Sequence, residues 1–400
     1  MKTITKSIGN RFARRDLTFM RTDNDTHQGR DTTMTATPAP DETTTGRPHY
    51  EVLDGLRGSA AIMVVLFHIM GMAISWADSG QLLHHAAMAV DFFFGLSGFV
   101  VAYAYDDRWK TMTSRQFFAI RLVRLHPLVL LGAVLGLLSF LFDPFPDNQK
   151  TVPIATVLTD FALACLVLPH PSLPNRWTDS HSLNSPAWSL MQEYIGNIAY
   201  ALVLRRLKTW LLGLVVLVAA GFLIHMAWQA NTMDQGSDWL SIWGAPTRMA
   251  FSFTMGLWLY RVRDRFPKLR LGWAVLTVIL AAAFAIPRVP QAIPHGNGLY
   301  EAAMVIVLFP LIILGGAHSE IGKLEMAVCR FAGRISYPLY ILHFPFLFIY
   351  MNFVTFKKPP VATAYLAGSA AFAIVIVFAW LAMKLYDEPV RRWLRRKLAG

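Results

Sequence analysis

From Gly55 onward the polar and apolar positions do not alternate as they do in a soluble helix; apolar residues run on without a polar face. LVLLGAVLGLLSFLF (128–142) and LLGLVVLVAAGFLI (211–224) are examples. About 18 to 20 such residues cross a bilayer as a helix. Eleven apolar segments are expected, near 58–76, 86–105, 127–142, 153–168, 187–204, 210–228, 244–260, 271–286, 299–317, 336–355 and 362–386. No internal repeat relates one half to the other, so nothing supports a transporter of two related halves.

Charge turns this string of helices into a topology. Cytoplasmic loops of membrane proteins collect Lys and Arg. The basic connectors are 106–126, 205–208, 261–270, 318–335 and the tail after Asp387. The other connectors carry only Lys150, Arg176, Arg288, Lys357 and Lys358. If all eleven segments crossed, RRLK at 205–208 and every later basic loop would lie outside. One non-crossing segment repairs the pattern. Segment 153–168 is short, carries Thr156, Thr159 and Asp160, and is flanked by Pro153 and Pro169. The expected fold is therefore all-α: ten transmembrane helices plus one short re-entrant or interfacial helix. Both termini are cytoplasmic, and one external lobe covers 143–186. Residues 1–49, rich in Thr, Asp and Arg, read as a disordered cytoplasmic arm without a signal-peptide core. Residues 50–392 form the membrane domain and 393–400 a basic cytoplasmic tail.

Composition agrees. The 400 residues are 54% hydrophobic and 16% charged, where a soluble domain carries about 25% charge. The net charge of +12 sits in short connectors, which argues for membrane topology and against a nucleic-acid face. Cys165 and Cys329 show no metal or redox spacing and read as packing residues.

Candidate chemistry lies in the polar groups inside the apolar runs. In LDGLRGSAAIMVVLFHI, Arg57 and His68 are eleven residues apart. That is almost three turns, so both lie on one helical face about 16 Å apart. The alternative is a histidine that merely bonds a neighbouring helix. Asp91 and Ser97 lie in VDFFFGLSGFVVAY, with Gly95 and Gly98 permitting close packing; Asp91 either serves the chemistry or pairs with Arg248 at similar depth. SPAWSLMQEY carries Trp188 and Glu193, and RISYPLYILHFPF carries Tyr337, Tyr340 and His343. Arg121 and Arg124, three apart, share a helical face and form either positive-inside charge or an anion clamp. Arginines at one mouth, an imidazole near the middle and carboxylates in the other half suit an anionic donor from inside and a hydroxyl acceptor from outside.

These motifs resemble the acyltransferase-3 family of integral-membrane O-acyltransferases, over residues 53 to 392. LDGLRGSAAIMVVLFH resembles the first-helix signature through Arg57 and His68, and VDFFFGLSGFVVAY the second. RLVRLHP resembles the arginine motif of the following loop. SPAWSLMQEY resembles the Trp-Ser-Leu-x-x-Glu motif (Trp188, Ser189, Glu193), and ISYPLYILHFP and YDEPVRRW the late motifs. The resemblance implies O-acylation of a surface carbohydrate or similar hydroxyl compound at the inner membrane. Acyl-CoA, usually acetyl-CoA, is the implied co-substrate, with no resident cofactor and no metal. Arg57, Arg121 and Arg124 would hold the CoA phosphates. His68 would act as base or acyl carrier, with Asp91 or Glu193 orienting it or the acceptor. Ser97, Trp188, Tyr337 and His343 would contact substrate. Some members carry a further extracytoplasmic domain; none follows the tenth span, so a single-domain enzyme is expected. The rival classes are a flippase or transporter of a lipid-linked sugar, and a membrane sensor without activity.

Overall fold

The computed structural model describes residues 49–74 and 80–399. The arm expected at 1–49 lies, apart from His49, outside them. Each of the eleven apolar segments is helical, because a backbone surrounded by lipid must satisfy its own hydrogen bonds. The helices are α1 (Glu51–Ile74), α2 (Ala89–Tyr105), α3 (Ser114–Leu141), α4 (Ile154–Cys165), α5 (Ala187–Leu202), α6 (Thr209–Ala230), α7 (Gly244–Val262), α8 (Trp273–Ala285), α9 (Gly296–Ala303), α10 (Phe309–His318), α11 (Lys323–Lys357), α12 (Val361–Ala382) and α13 (Glu388–Ala399). π-Turns join α9 to α10 and α12 to α13, so each pair reads as one long rod. Among the described residues there is no strand, only an isolated bridge between Asp179 and Asp238.

Seven rods are long and apolar enough to cross a membrane: Glu51–Ile74, Ala86–Tyr105, Ser114–Leu141, Thr209–Ala230, Gly296–His318, Lys323–Lys357 and Val361–Leu398. α5, α7 and α8 fall short by length or polarity, with 16, 19 and 13 residues. α4, where the sequence pattern places the non-crossing segment, has 12.

Three helices outrun the apolar run that announces them. α3 starts at Ser114, well before 127, because Thr113 and Gln116 close a reciprocal capping box at its head. Arg121 and Arg124 thus lie within a helix, and Pro127 is carried inside it. α11 starts at Lys323 rather than near 336 and carries Pro338 and Pro345. The tail at 393–400 is the end of helix α13, through Ala399. Apolar runs mark only the part of a helix in contact with oil; hydrogen bonding extends it into water.

The bundle centres on two helix pairs, α1 against α11 and α2 against α7; α6 flanks α7, while α3 and α12 flank α11. Small residues set the α2–α7 distance. A Cβ at Gly98 would lie 2.0 Å from the Phe253 carbonyl oxygen, and one at Gly256 2.0 Å from that of Gly95. Only hydrogen fits there, which lets the two backbones touch. Outward faces are apolar and exposed, as at Leu217, Phe222, Val278 and Leu366, as expected where lipid is the solvent.

Candidate functional site

Arg57 and His68 stand about 20° apart around α1, while Ile62, exposed on the outer face, is about 140° from Arg57. Both polar residues therefore point into the bundle, and both are only half-buried. Each keeps some accessible surface although it points into the bundle. The same holds for Phe93, Ser97, Glu193, Tyr337 and Tyr340 on α2, α5 and α11.

At the Arg57 end, three helices, α1, α3 and α5, bring their charges together. Arg57 donates to Asp54 at 3.0 Å and lies within electrostatic reach of Arg124, Glu193 and Arg121. Arg121 from α3 donates to Glu193 from α5 at 2.7 Å, and Ser97 from α2 donates to the same oxygen at 2.8 Å. Arg121 keeps a buried Nε without a partner. Arg124 is half-buried and forms no ion pair with any described residue. Tyr337 closes this level by donating to the Leu125 carbonyl at 2.6 Å.

An aromatic column rises from there. The Tyr340 hydroxyl lies 2.7 Å from Ser189 Oγ, whose own proton goes to the Pro186 carbonyl; Tyr340 is thus the donor of the pair. Tyr340 packs edge-on to Phe93 and lies 6.0 Å from the His343 ring. His343 is fully buried and its Nδ1 is 2.6 Å from the Tyr340 carbonyl. A carbonyl only accepts, so Nδ1 carries the proton and Nε2 is a bare lone pair. The His68 ring lies 5.5 Å from that of His343 and 4.8 Å from Phe344, centroid to centroid. Arginines, hydroxyls and two imidazoles thus form a continuous file through the bundle.

Asp91 stands apart from this file. Its carboxylate is fully buried against Arg248, at 2.7 Å from Nη2 and 3.1 Å from Nε, and Ser252 adds a contact at 3.4 Å. Trp188 packs beside this pair, with the guanidinium 5.3 Å from its ring centre. This is the partnership weighed for Asp91 from sequence. Neither Asp91 nor Glu193 hydrogen-bonds His68; each is taken by an arginine. An apolar groove of about 510 Å³ between α6 and α7 faces outward and has no titratable side chain in its lining, so it offers nothing for catalysis.

A profile for an acyltransferase domain matches residues 50–383. The chain belongs to the acyltransferase-3 family. It is similar to the peptidoglycan O-acetyltransferase OatA of Listeria monocytogenes, 25% identical over 86% of this chain and 56% of that protein. It is also similar to the acyltransferase MdmB of Streptomyces mycarofaciens, 26% identical over 86% of this chain and 92% of that protein. Protein 2 in picA locus of Rhizobium radiobacter is 32% identical over 38% of this chain and 80% of its own length. The chain thus spans little more than half of OatA. No solved structure matches it. Family membership agrees with the multi-pass helical bundle.

Sequence reasoning singled out candidate residues one by one but missed several of their partners. Nothing in the sequence pairs Tyr340 with Ser189 or fixes the tautomer of His343. It also missed the polar interior of the lobe between α4 and α5. There, burial pushes His170 down to about 4 and His181 down to about 3, so both are neutral at pH 7. Arg176, counted from sequence as an external loop charge, is fully buried over the Phe348 ring at 4.3 Å. The clustered His and Ser of HPSLPNRWTDSHSLNS were the available signal.

Proposed function

We propose that the chain is a membrane O-acyltransferase that moves an acyl group, acetyl in the usual case, from acyl-CoA to a hydroxyl of a surface carbohydrate or similar acceptor. The donor arrives at the arginine end, which the positive-inside rule assigns to the cytoplasm of a ten-span inner-membrane protein with both termini inside. The observation that carries the reading is the shared inward face of Arg57 and His68, about 16 Å apart and each with some surface left accessible. The names of OatA and MdmB support the reaction type.

In this reading Arg124, unpaired, and Arg121, with a spare Nε–H, grip the CoA phosphates together with Arg57. The thioester reaches along the file to His68. The acceptor oxygen attacks the thioester carbonyl as its proton passes to His68. The C–S bond breaks, the ester C–O bond forms, and the proton returns to the thiolate, releasing CoA thiol. Such general-base help is worth roughly 10²- to 10⁴-fold. Transient acylation of His68 is the alternative course. Ser97 and Tyr337 line the path, and the fully buried His343 stands behind it against the His68 ring. Glu193 acts by holding Arg121 and Ser97, and Asp91 by holding Arg248 beside Trp188.

His68→Ala and His68→Gln, purified and reconstituted in lipid nanodiscs, test this by release of CoA thiol and ester formation on a hydroxyl acceptor. Both variants are expected to lose at least about a hundredfold in rate. Rates within tenfold of the parent refute both roles of His68. A flippase or sensor would consume no acyl-CoA in the same assay.

A further inference from the structure

Between α4 and α5 the chain tucks three polar side chains into an apolar wall. His170, His181 and Asn184 are 1%, 1% and 4% exposed. They line a small cavity of about 10 Å³, completed by Val129, Ala133, Ala164, Ala187 and Ile341 of α3, α4, α5 and α11. Each of the three has one buried atom without a hydrogen-bond partner: His170 Nε2, His181 Nε2 and Asn184 Oδ1.

The surrounding bonds decide which of these atoms carry protons. The Ser180 hydroxyl gives its proton to the Ser237 carbonyl at 3.0 Å, so toward His181 Nδ1, also at 3.0 Å, it accepts. The Val167 carbonyl is a further acceptor beside this ring; with the His181 proton on Nδ1, Nε2 is a lone pair. Around His170 Nδ1 stand the Pro171 carbonyl at 3.4 Å, the Asp160 carboxylate at 4.0 Å and Ser182 Oγ at 3.3 Å, whose proton goes to Pro171. All accept, so His170 also carries its proton on Nδ1 and leaves Nε2 bare. Asn184 spends its amide N–H on the Ile341 carbonyl at 2.9 Å and presents Oδ1. The cavity is thus ringed by three lone pairs and has no polar hydrogen among these three groups.

A single water suits such a ring poorly. It has two protons for three acceptors, and its own lone pairs find no donor among them. A cation can use all three lone pairs. Two imidazoles bound to one ion at 2.0–2.1 Å have ring centres roughly 5.2 Å apart at the tetrahedral angle and at most roughly 6.4 Å apart; those of His170 and His181 are 6.0 Å apart, so the rings close by about 1 Å around a tetrahedral ion. Metal-bound histidines also give their second N–H to a carbonyl, carboxylate or similar acceptor, as both do here. Nitrogen ligands select transition metals over magnesium and calcium. Among the described residues no three of His, Cys, Asp and Glu converge on one point; here the third ligand is an amide oxygen.

We propose that this cavity binds one divalent transition-metal ion of the zinc class through His170 Nε2, His181 Nε2 and Asn184 Oδ1, with Asp160 behind His170. The ion staples the lobe to α11 through Asn184 and Ile341, two residues before His343. The site is independent of the acyl-transfer reading and stands or falls separately.

The test uses the full chain in detergent, stripped with chelator and titrated with Co²⁺ alone. One Co²⁺ per chain is expected, with the visible absorption of a nitrogen-ligated ion. His170→Ala and His181→Ala should each weaken binding by at least about tenfold, whereas His225→Ala, which removes an exposed imidazole, should not. Absence of binding at micromolar Co²⁺, or binding unchanged in both lobe variants, overturns the site and leaves ordered water. If the variants do not fold, Zn²⁺ should raise the melting temperature of the stripped parent while Mg²⁺ does not; equal or no shift overturns it equally.

Discussion

The Asp91–Arg248 pair offers the sharpest quantitative test of how the bundle is held. Both side chains are buried, at 0% and 1% exposure. The guanidinium spends its donors on Asp91 and on two backbone carbonyls, Ala87 at 2.9 Å and Gln235 at 2.9 Å. It thereby ties α7 to the head of α2 and to the loop that follows α6. Removing one member of a buried pair leaves the other charged and unpaired, which costs about 3–5 kcal/mol. Asp91→Leu and Arg248→Met should therefore each lower stability by about that much. Arg248→Met also strands two carbonyls, at about 1–3 kcal/mol apiece. The double substitution removes both charges and leaves only the carbonyl cost. It should be no less stable than Arg248→Met alone, so the two effects are non-additive by at least about 3 kcal/mol. The assay is a double-mutant cycle on SDS-induced unfolding in micelles. Additive losses would show that the two charges do not depend on one another, and the pair would lose its structural role. Acyl transfer that follows stability, recovering in the double variant relative to Asp91→Leu, places Asp91 in the framework; transfer still abolished in a stable double variant places it in the chemistry.

Arg124→Gln removes the one unpaired guanidinium of the file's charged end and should weaken acyl-CoA binding by roughly 10- to 100-fold, the value of a charge-assisted hydrogen bond; unchanged affinity in direct titration argues against the phosphate grip. Gly98→Ala drives a methyl into the Phe253 carbonyl and should cost about 1–3 kcal/mol through separation of α2 and α7, while Gly221→Ala, with nothing within 4 Å, should unfold like the parent. Cysteines placed at Lys150, Arg206 and Lys357 should react with impermeant reagent in intact cells at the first and third positions only; outside labelling at Arg206 sinks the ten-span arrangement.

The existence and type of the helices were legible in the chain because a membrane permits little else: an apolar run must close its own hydrogen bonds. The shared face of Arg57 and His68 was legible too, since 3.6 residues per turn fixes it locally. Helix ends were less so. α3 and α11 extend well beyond their oily runs because a capping box and continued backbone bonding, not hydrophobicity, set where they begin. What lay beyond local reach was partnership. Glu193 meets Arg121 and Ser97 across sequence separations of 72 and 96 residues, and Ser189 meets Tyr340 across 151. Chain periodicity carries no information about such encounters; they depend on which faces the close α2–α7 and α1–α11 contacts bring together. The sequence alone determined an oily helical bundle with arginines, carboxylates and imidazoles inside it. The tertiary structure decided which of those charges cancel in pairs and which imidazole keeps accessible surface, because burial and neighbours belong to the packed bundle and not to any one helix.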